Sequence, residues 1–394
     1  VKNLLLNIGK KRRTSVDKAT LIKITQDLIQ LDTVNDHEEA VSDYLATLFT
    51  ANGISTKKLT YAPGRTSLIA EIGDPTSKQV LVFSGHQDTV ATGDAADWPY
   101  AGPFSGELHA GRIYGRGAAD MKSGLAAMAA TLIALKDAPL KGRLRFVATV
   151  GEEFGAHGAR ELTEQGYADD FSGLVIGEPT GQKLIYAHSG SIDYTVTSIG
   201  KAAHSSLPET GINAITNLVK FITAEAHAFD DVAPHPALGD FVHSVTVIKG
   251  GTQVNSIPGY AQLAGNMRPI PSFDNAQAIG RLQTIIADLN QQPDVNLKLN
   301  VDFSFVPVLT AQDDPLVTAL QASAQQVTGK ELIEDVIHGA TDASEFTKSA
   351  HKFPVIIFGP GDWSAAHQSN ESVSVANIVN TQKIYQALAL RQLS

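Results

Sequence analysis

At 394 residues the chain has room for about two domains, and 43% hydrophobic with 18% charged residues is the composition of an ordinary globular protein. A net charge of -10, with no Lys/Arg-rich patch interleaved with aromatics, argues against nucleic acid and membrane surfaces as partners. Cysteine is absent, which excludes disulfides, thiolate nucleophiles and Cys-built zinc sites and leaves His and carboxylates as the metal-binding chemistry.

The opening VKNLLLNIGKKRR places an apolar patch before its basic cluster, the reverse of a secretory signal, and no run of about 18 apolar residues follows. A cytoplasmic location is the expectation. Leu21, Ile22, Ile24, Leu28 and Ile29, then Ala40, Val41, Tyr44, Leu45 and Leu48, recur at helical spacing, with a break at Thr33–Asp36. Runs typical of fully buried strands come next, at Leu68–Ala70, Val80–Phe83, Leu144–Val150, Leu174–Ile176 and later Val355–Phe358. An Ala-rich helix, Leu125–Leu135, lies among them. This alternation predicts an α/β fold with a mostly parallel central sheet and flanking helices.

From about Ser191 the texture changes to half-buried alternation. A strand at Ile192–Thr197, a helix near Asn213–Ala228, strands at Val245–Ile248 and Gln262–Met267, a helix at Asn275–Leu289 and a strand at Asn296–Val301 follow in turn. The order β-α-β-β-α-β is that of a ferredoxin-like α+β unit. The expected organisation is therefore a catalytic domain in two parts, 1–190 and 305–394, around an inserted ferredoxin-like domain at 191–304. A helix near Pro315–Val327, the strand at Val355–Phe358 and a terminal helix near Ser374–Leu390 complete the second part.

In open α/β sheets, functional groups collect beyond the carboxyl ends of the strands. Here those ends read alike: Gly85-His86-Gln87-Asp88, Gly151-Glu152-Glu153, Gly177-Glu178-Pro179, and Gly359-Pro360 with His367 a short loop later. Asp120 follows the Gly115-Arg116-Gly117 turn. Converging in one crevice, Asp88, Asp120, Glu152, Glu153 and Glu178 cannot all stay ionised and partly desolvated without cations, and two divalent metals would supply that charge. Residues at i and i+2 of an extended segment share a face, so the Asp88 carboxylate is expected to accept from the free ring N–H of His86. Glu152 and Glu153, being adjacent, should point to opposite sides. One could ligate a metal while the other stays free to act as a general base.

The segments SGHQDTV, GRGAADMKSGLAA, GEEFGAHGA, IGEPT, GKAAHSS and FGPGDWSAAHQSNE resemble, in order and across nearly the whole chain, the blocks of the M20 family of metal-dependent amidohydrolases and peptidases. The branch most resembled is that of acetylornithine deacetylase and succinyl-diaminopimelate desuccinylase. The resemblance implies a zinc-exopeptidase-like catalytic domain with an inserted lid and dimerisation domain, acting as a cytoplasmic homodimer on a small N-acyl amino acid or dipeptide. It further implies that His86 and Glu178 bind one metal, that Glu153 and His367 bind the other, and that Asp120 bridges both. Zn²⁺ is the expected metal, with Co²⁺ or Mn²⁺ as alternatives. His204 is implied as an oxyanion stabiliser reaching the site from a partner subunit, with Asp88 and Glu152 as the other catalytic residues, Glu152 being the general base on a water bridging two metals about 3.5 Å apart, whose hydroxide attacks an amide carbonyl. Asn255, Arg268 and the Gly339-Ala340-Thr341 loop are implied as substrate contacts, Arg268 supplying a planar cation for a carboxylate.

One departure bears on the substrate: GATDASEF puts Glu345 where desuccinylases carry an Arg, which favours a shorter or uncharged acyl group, or a basic substrate side chain. The expected reaction is hydrolysis of the amide of an N-acyl amino acid, of desuccinylase or acetylornithine-deacetylase type. Alternatives are a metallo-exopeptidase of the same architecture and, more distantly, a non-catalytic metal-binding dimerisation module. The glycine pattern of GRGAADMKSG lacks the third glycine of a dinucleotide fingerprint and the G-K-[ST] of a P-loop, and no G-x-S-x-G elbow is present. His157 and His188 match no ligand position and are expected to be structural.

Overall fold

The computed structural model describes residues 16–394, so the VKNLLLNIGKKRR stretch and the reading of it lie outside the described residues. In chain order the first elements are helices α1 (Lys18–Ile29) and α2 (Glu39–Ala51), then strands β1 (Thr56–Ala62), β2 (Arg65–Gly73) and β3 (Val80–His86). Short strands β4 (Glu107–His109) and β5 (Arg112–Tyr114) precede α3 (Ser123–Leu135), β6 (Arg143–Thr149), α4 (His157–Glu164), β7 (Gly173–Ile176) and β8 (Leu184–His188). Next come β9 (Ser191–Ile199), β10 (Ala203–His204), α5 (Ala214–Glu225), β11 (Val242–Gly250), β12 (Ser256–Ile257), β13 (Tyr260–Arg268), α6 (Asn275–Leu289) and β14 (Leu297–Phe305). The chain ends with β15 (Val308–Leu309), α7 (Pro315–Thr328), β16 (Glu334–Ile337), α8 (Ala343–Phe346), β17 (Val355–Ile357), β18 (Ser372–Ser374) and α9 (Val375–Leu393).

Two compact units result. The first comprises residues up to Tyr186 with Leu309–Asp335 and Thr341–Ser394, and the second Ala187–Val308 with Val336–Ala340. The larger sheet runs β1-β2-β6-β3-β7-β17-β8-β15, with β16 beside β8. Its centre, β6-β3-β7-β17, is parallel, while β1, β2 and β8 pair antiparallel with their neighbours. Strand β2 is buried from Thr66 to Ala70 although it is antiparallel, and α2 and α3 pack against it. Helix α3 is apolar on every side: it is packed among α1, α9 and the sheet. The stretch Ala118–Leu135 is long and apolar enough to cross a membrane by composition, but 94% of it is buried inside the fold.

In the second unit the four strands lie in the order β11-β13-β9-β14, all antiparallel. With α5 and α6 interposed as β9-α5-β11-β13-α6-β14, this is the ferredoxin-like arrangement. Helix α5 starts where Asn213 accepts from Ile215 N, and α6 opens with a reciprocal capping box between Asp274 and Gln277. The inward faces of β9 and β13, Ile192, Tyr194, Val196, Leu263 and Met267, are buried and form this unit's core with Leu218, Phe221 and Leu282.

Candidate metal centre

The parallel strands of the first unit deliver their polar residues at their carboxyl ends. His86 is the last residue of β3, Glu152 and Glu153 follow β6, Glu178 follows β7, and His367 lies in the loop after β17. Asp120 sits in the irregular turn Ala118–Lys122 that leads into α3, with extended rather than helical backbone angles (φ -120, ψ 95). Gly117 begins that turn in the left-handed region (φ 83), where a side chain would be strained.

These residues meet. His86 Nε2 is 3.0 Å from Asp120 Oδ1 and 3.6 Å from Glu178 Oε1, while His367 Nε2 is 3.3 Å from Asp120 Oδ2 and 3.1 Å from Glu153 Oε2. Asp120 therefore gives one oxygen to each of two His–carboxylate groups. Ligand-type atoms of His86, Glu152 and Glu178 lie within 4.8 Å of one another, as do those of His86, Asp120 and Glu153. The adjacent Glu152 and Glu153 thus enter different groups.

The expected partnership of Asp88 with His86 is corrected by the structure. His86 Nδ1 is 2.9 Å from the backbone carbonyl of Asp88 and 3.7 Å from its carboxylate. His86 is the last strand residue, so side-chain alternation does not extend to Asp88. The Asp88 carboxylate turns instead to the next loop, accepting the N–H of Glu152 on Oδ1 and that of Glu153 on Oδ2, both at 3.1 Å. Gly85 lies inside β3, where a Cβ would collide with the Met121 side chain.

The electrostatics follow from burial. Burial, with Glu178 nearby, pushes the Glu152 carboxyl well up, and burial raises Glu153 and takes Glu178 to about 8. Burial also opposes the charge on Asp120, but His367 and His86 hold its carboxyl below the usual range. Contacts with Asp120 and Glu153 push His367 up to about 10. Side chains alone therefore leave the cluster short of positive charge. One atom marks the shortfall: Glu153 Oε1 is buried without a hydrogen-bond partner. Imidazoles and carboxylates are the donors that Zn²⁺ and similar divalent ions take, so the residues present fit such ions.

Buried groups that the sequence reading did not single out hold this site in place. Glu38 accepts the Gly151 N–H at 3.1 Å and pairs through both oxygens with Arg65. Asp342 Oδ2 accepts from Thr149 Oγ1 at 2.5 Å at the end of β6, and burial pushes its carboxyl up to about 7. Glu371 gathers the amides of the Asp120 turn. None has a periodicity signal, because each meets a partner remote in sequence: Glu38 and Glu371 backbone amides, Asp342 the Thr149 hydroxyl.

The remaining expected residues fall as follows. His204, on β10, is exposed, with Nδ1 2.7 Å from Ser206 Oγ, and the Asn255 carbonyl accepts from Ser205 N at 3.1 Å, so these two are neighbours within the second unit. Arg268 ends β13, half-buried, and Gly339 also belongs to the second unit. Thr341 belongs to the first unit and is buried, its hydroxyl accepting from Ala343 N at 3.2 Å. Glu345 is buried as well, 2.7 Å from Lys348 Nζ and 3.7 Å from Arg160 Nε. Its charge is thus matched within the protein, while the position still offers no Arg to an acidic acyl group. His188 is buried with Nδ1 2.8 Å from the Ser189 carbonyl, and His157 stacks on Tyr61 at 5.2 Å.

Comparison with known proteins shows what the chain is similar to. Among curated relatives, a probable succinyl-diaminopimelate desuccinylase of Staphylococcus epidermidis is 34% identical over 388 residues, covering 91% of this chain and 94% of that one. Among solved structures, the aminopeptidase PepT of Bacillus cereus superposes with a TM-score of 0.75 at 22% identity, covering 96% of this chain and 99% of that one. A dinuclear metal-binding peptidase of the M20 family from Bacillus subtilis gives a TM-score of 0.70 at 18% identity, over 95% and 98% of the two chains. The profile of peptidase family M20/M25/M40 matches residues 82–391, and the chain belongs to that family.

Proposed function

We propose that the protein hydrolyses the amide bond of an N-acyl amino acid, of the succinyl-diaminopimelate desuccinylase or acetylornithine deacetylase type, using two divalent metal ions. The observation that carries this reading is Asp120, with one oxygen toward His86 and the other toward His367. In this reading His86 and Glu178 hold one ion, Glu153 and His367 the other, and Asp120 both. Zn²⁺ is favoured by the donor set, with Co²⁺ or Mn²⁺ as alternatives. When bound, such ions polarise a carbonyl and lower the pKa of water.

The chain's own groups do the rest. Glu152, beside the cluster and partly buried, takes the proton of the attacking water and returns it to the leaving nitrogen, so that a carboxylate and an amine are released. Asp88 fixes the backbone of Glu152 and Glu153. His204 of the partner subunit is proposed to donate to the developing oxyanion, and Asn255, Arg268, Gly339 and Thr341 to bind the substrate. A homodimer through the second unit is supported by exposed Val242, Val247 and Ile248 on its edge strand β11. A cytoplasmic location is proposed with it.

A desuccinylase-type activity is favoured by the curated relative at 34% identity. The test is a substrate panel with Zn²⁺ or Co²⁺ supplied: N-succinyl-diaminopimelate, N-acetylornithine, other N-acyl amino acids, dipeptides and tripeptides. Preference for an N-acyl amino acid supports the proposal. Cleavage of peptides alone would replace it with the exopeptidase alternative, and no hydrolysis by metal-loaded protein would leave the non-catalytic module.

A further inference from the structure

A buried ion pair outside the ligand set touches three of the loops that build the metal centre. Glu371, 1% exposed, accepts the N–H of Ala119 at 2.7 Å and of Asp120 at 2.9 Å on Oε1. Its Oε2 accepts from Gly117 N at 3.1 Å and Arg116 Nη1 at 2.7 Å, and its backbone carbonyl accepts from Gly115 N at 3.0 Å. An ionised carboxylate has about four lone-pair positions, so this one is fully used, mostly by the turn that carries Asp120.

Arg116, 2% exposed, extends the connection. Its Nη1 also donates to the Gln368 carbonyl at 3.2 Å and its Nη2 to the Ala91 carbonyl at 2.9 Å, while the guanidinium lies 5.4 Å over the Trp98 ring. Gln368 directly follows His367, and Ala91 lies in the loop that leaves His86 and Asp88. Through these bonds one ion pair fixes the backbone next to His367, the loop that follows Asp88 and the turn under Asp120.

The turn needs such an acceptor. Asp120 and Met121 have non-helical backbone angles, so the amides of Gly117, Ala119 and Asp120 point at Glu371. Buried N–H groups are rarely left unpaired, and a neutral amide in place of the carboxylate has one acceptor oxygen for four donors. A buried ion pair is also an uncertain source of stability, since apolar replacements of such pairs are often neutral. Placement of Asp120 is a more direct consequence of this geometry than stability.

We infer that Arg116 and Glu371 are positioning residues that aim the two oxygens of Asp120 at two metal positions and so set metal affinity without touching metal or substrate. This rests on the reading of the cluster as a metal centre. The test compares metal-free wild type with Glu371→Gln, Arg116→Lys and the double variant Arg116→Met/Glu371→Met. Each is titrated with Zn²⁺ against a chromophoric chelator and melted as metal-free protein, and kcat and KM are then measured with metal in excess.

Glu371→Gln is expected to bind Zn²⁺ about 10- to 100-fold more weakly, with kcat lowered and KM little changed, as for other outer-shell partners of a metal site. Arg116→Lys, which keeps a charge but not the planar fork, should lose less. The double variant leaves no uncompensated buried charge but removes the acceptor of three buried amides, so its metal-free form should fold, melt below wild type and bind Zn²⁺ weakly. If Glu371→Gln does not fold, the other two variants carry the comparison. Wild-type affinity and kcat in the folded variants would overturn the inference alone. Wild type that binds no divalent ion would sink the metal-centre reading and this inference with it.

Discussion

Asp88 Oδ2 accepts the backbone N–H of Glu153 at 3.1 Å, so a residue two positions beyond His86 fixes the loop on the neighbouring strand rather than the imidazole beside it. Oδ1 does the same for Glu152 at 3.1 Å. Asp88→Asn keeps one acceptor but turns an NH₂ toward the other amide. We expect kcat to fall about 10- to 100-fold, with further loss in Asp88→Ala, as when an outer-shell partner of a metal site is removed. Steady-state kinetics with metal analysis check this. If the carboxylate acted on His86 alone, the loss would appear in metal affinity with kcat intact once metal is saturating.

Glu152 lies among His86 and Glu178 closely enough to be a ligand by distance, which makes its role open to a direct measurement. As the general base, Glu152→Gln should retain two metal equivalents and lose about 10²- to 10⁴-fold in kcat. Chelation of the wild type should abolish turnover, and added Zn²⁺ or Co²⁺ should restore it. A Glu152→Gln protein that binds one equivalent fewer would reassign Glu152 to the ligand set. Full turnover by rigorously metal-free wild type would remove the metal from the reaction altogether.

His204 is exposed on a two-residue strand, its Nδ1 2.7 Å from Ser206 Oγ. In the proposed role, His204→Ala lowers kcat by about 10²- to 10³-fold, the cost of an oxyanion donor, while metal content and melting temperature stay the same. An unaltered rate would make it a loop histidine that orders Ser205-Ser206. Mixing inactive Glu152→Gln with inactive His204→Ala and recovering part of the activity would further show that the two residues act across subunits.

Much of the fold was legible because its elements carry strong patterns. The parallel centre reads as short apolar runs since both its faces are covered, and β9, β13 and β14 read as alternation since one face is open. Helix α6 falls where its periodicity puts it, from Asn275 to Leu289. The hairpin of β1 and β2 was legible only in part: β1, Thr56–Ala62, is mostly exposed and polar, so no apolar signal marks it. At the candidate centre, strand ends point to His86, Glu152, Glu153 and Glu178 because the side chains follow directly on buried runs. Glu38, Arg116 and Glu371 gave no such sign, since their work is on backbone amides and carbonyls far away in the chain, and Arg65 gave none because its partner is the Glu38 carboxylate. The pairing of Asp88 was misread for a related reason: alternation is a property of strands, and β3 ends at His86.

His188 gives the fold a dependence on pH that is separate from the metal centre. It is buried at the end of β8, and burial pushes its imidazole down to about 4, only partly offset by the Ser189 carbonyl. In the unfolded chain an ordinary His titrates near 6.5. Below that pH the unfolded state takes up a proton that the native state refuses, so stability is fully present above pH ~6.5, falls as pH drops, and levels off below about 4. Integrated over that window, the loss is up to about 3 kcal/mol. Replacing the imidazole removes the titrating group, so urea midpoints of wild type and His188→Gln, measured from pH 7.5 to 4.5 with chelator present, should converge as the pH falls. Parallel curves would mean that His188 is protonated in the native protein, with a carboxylate or other acceptor meeting its second nitrogen.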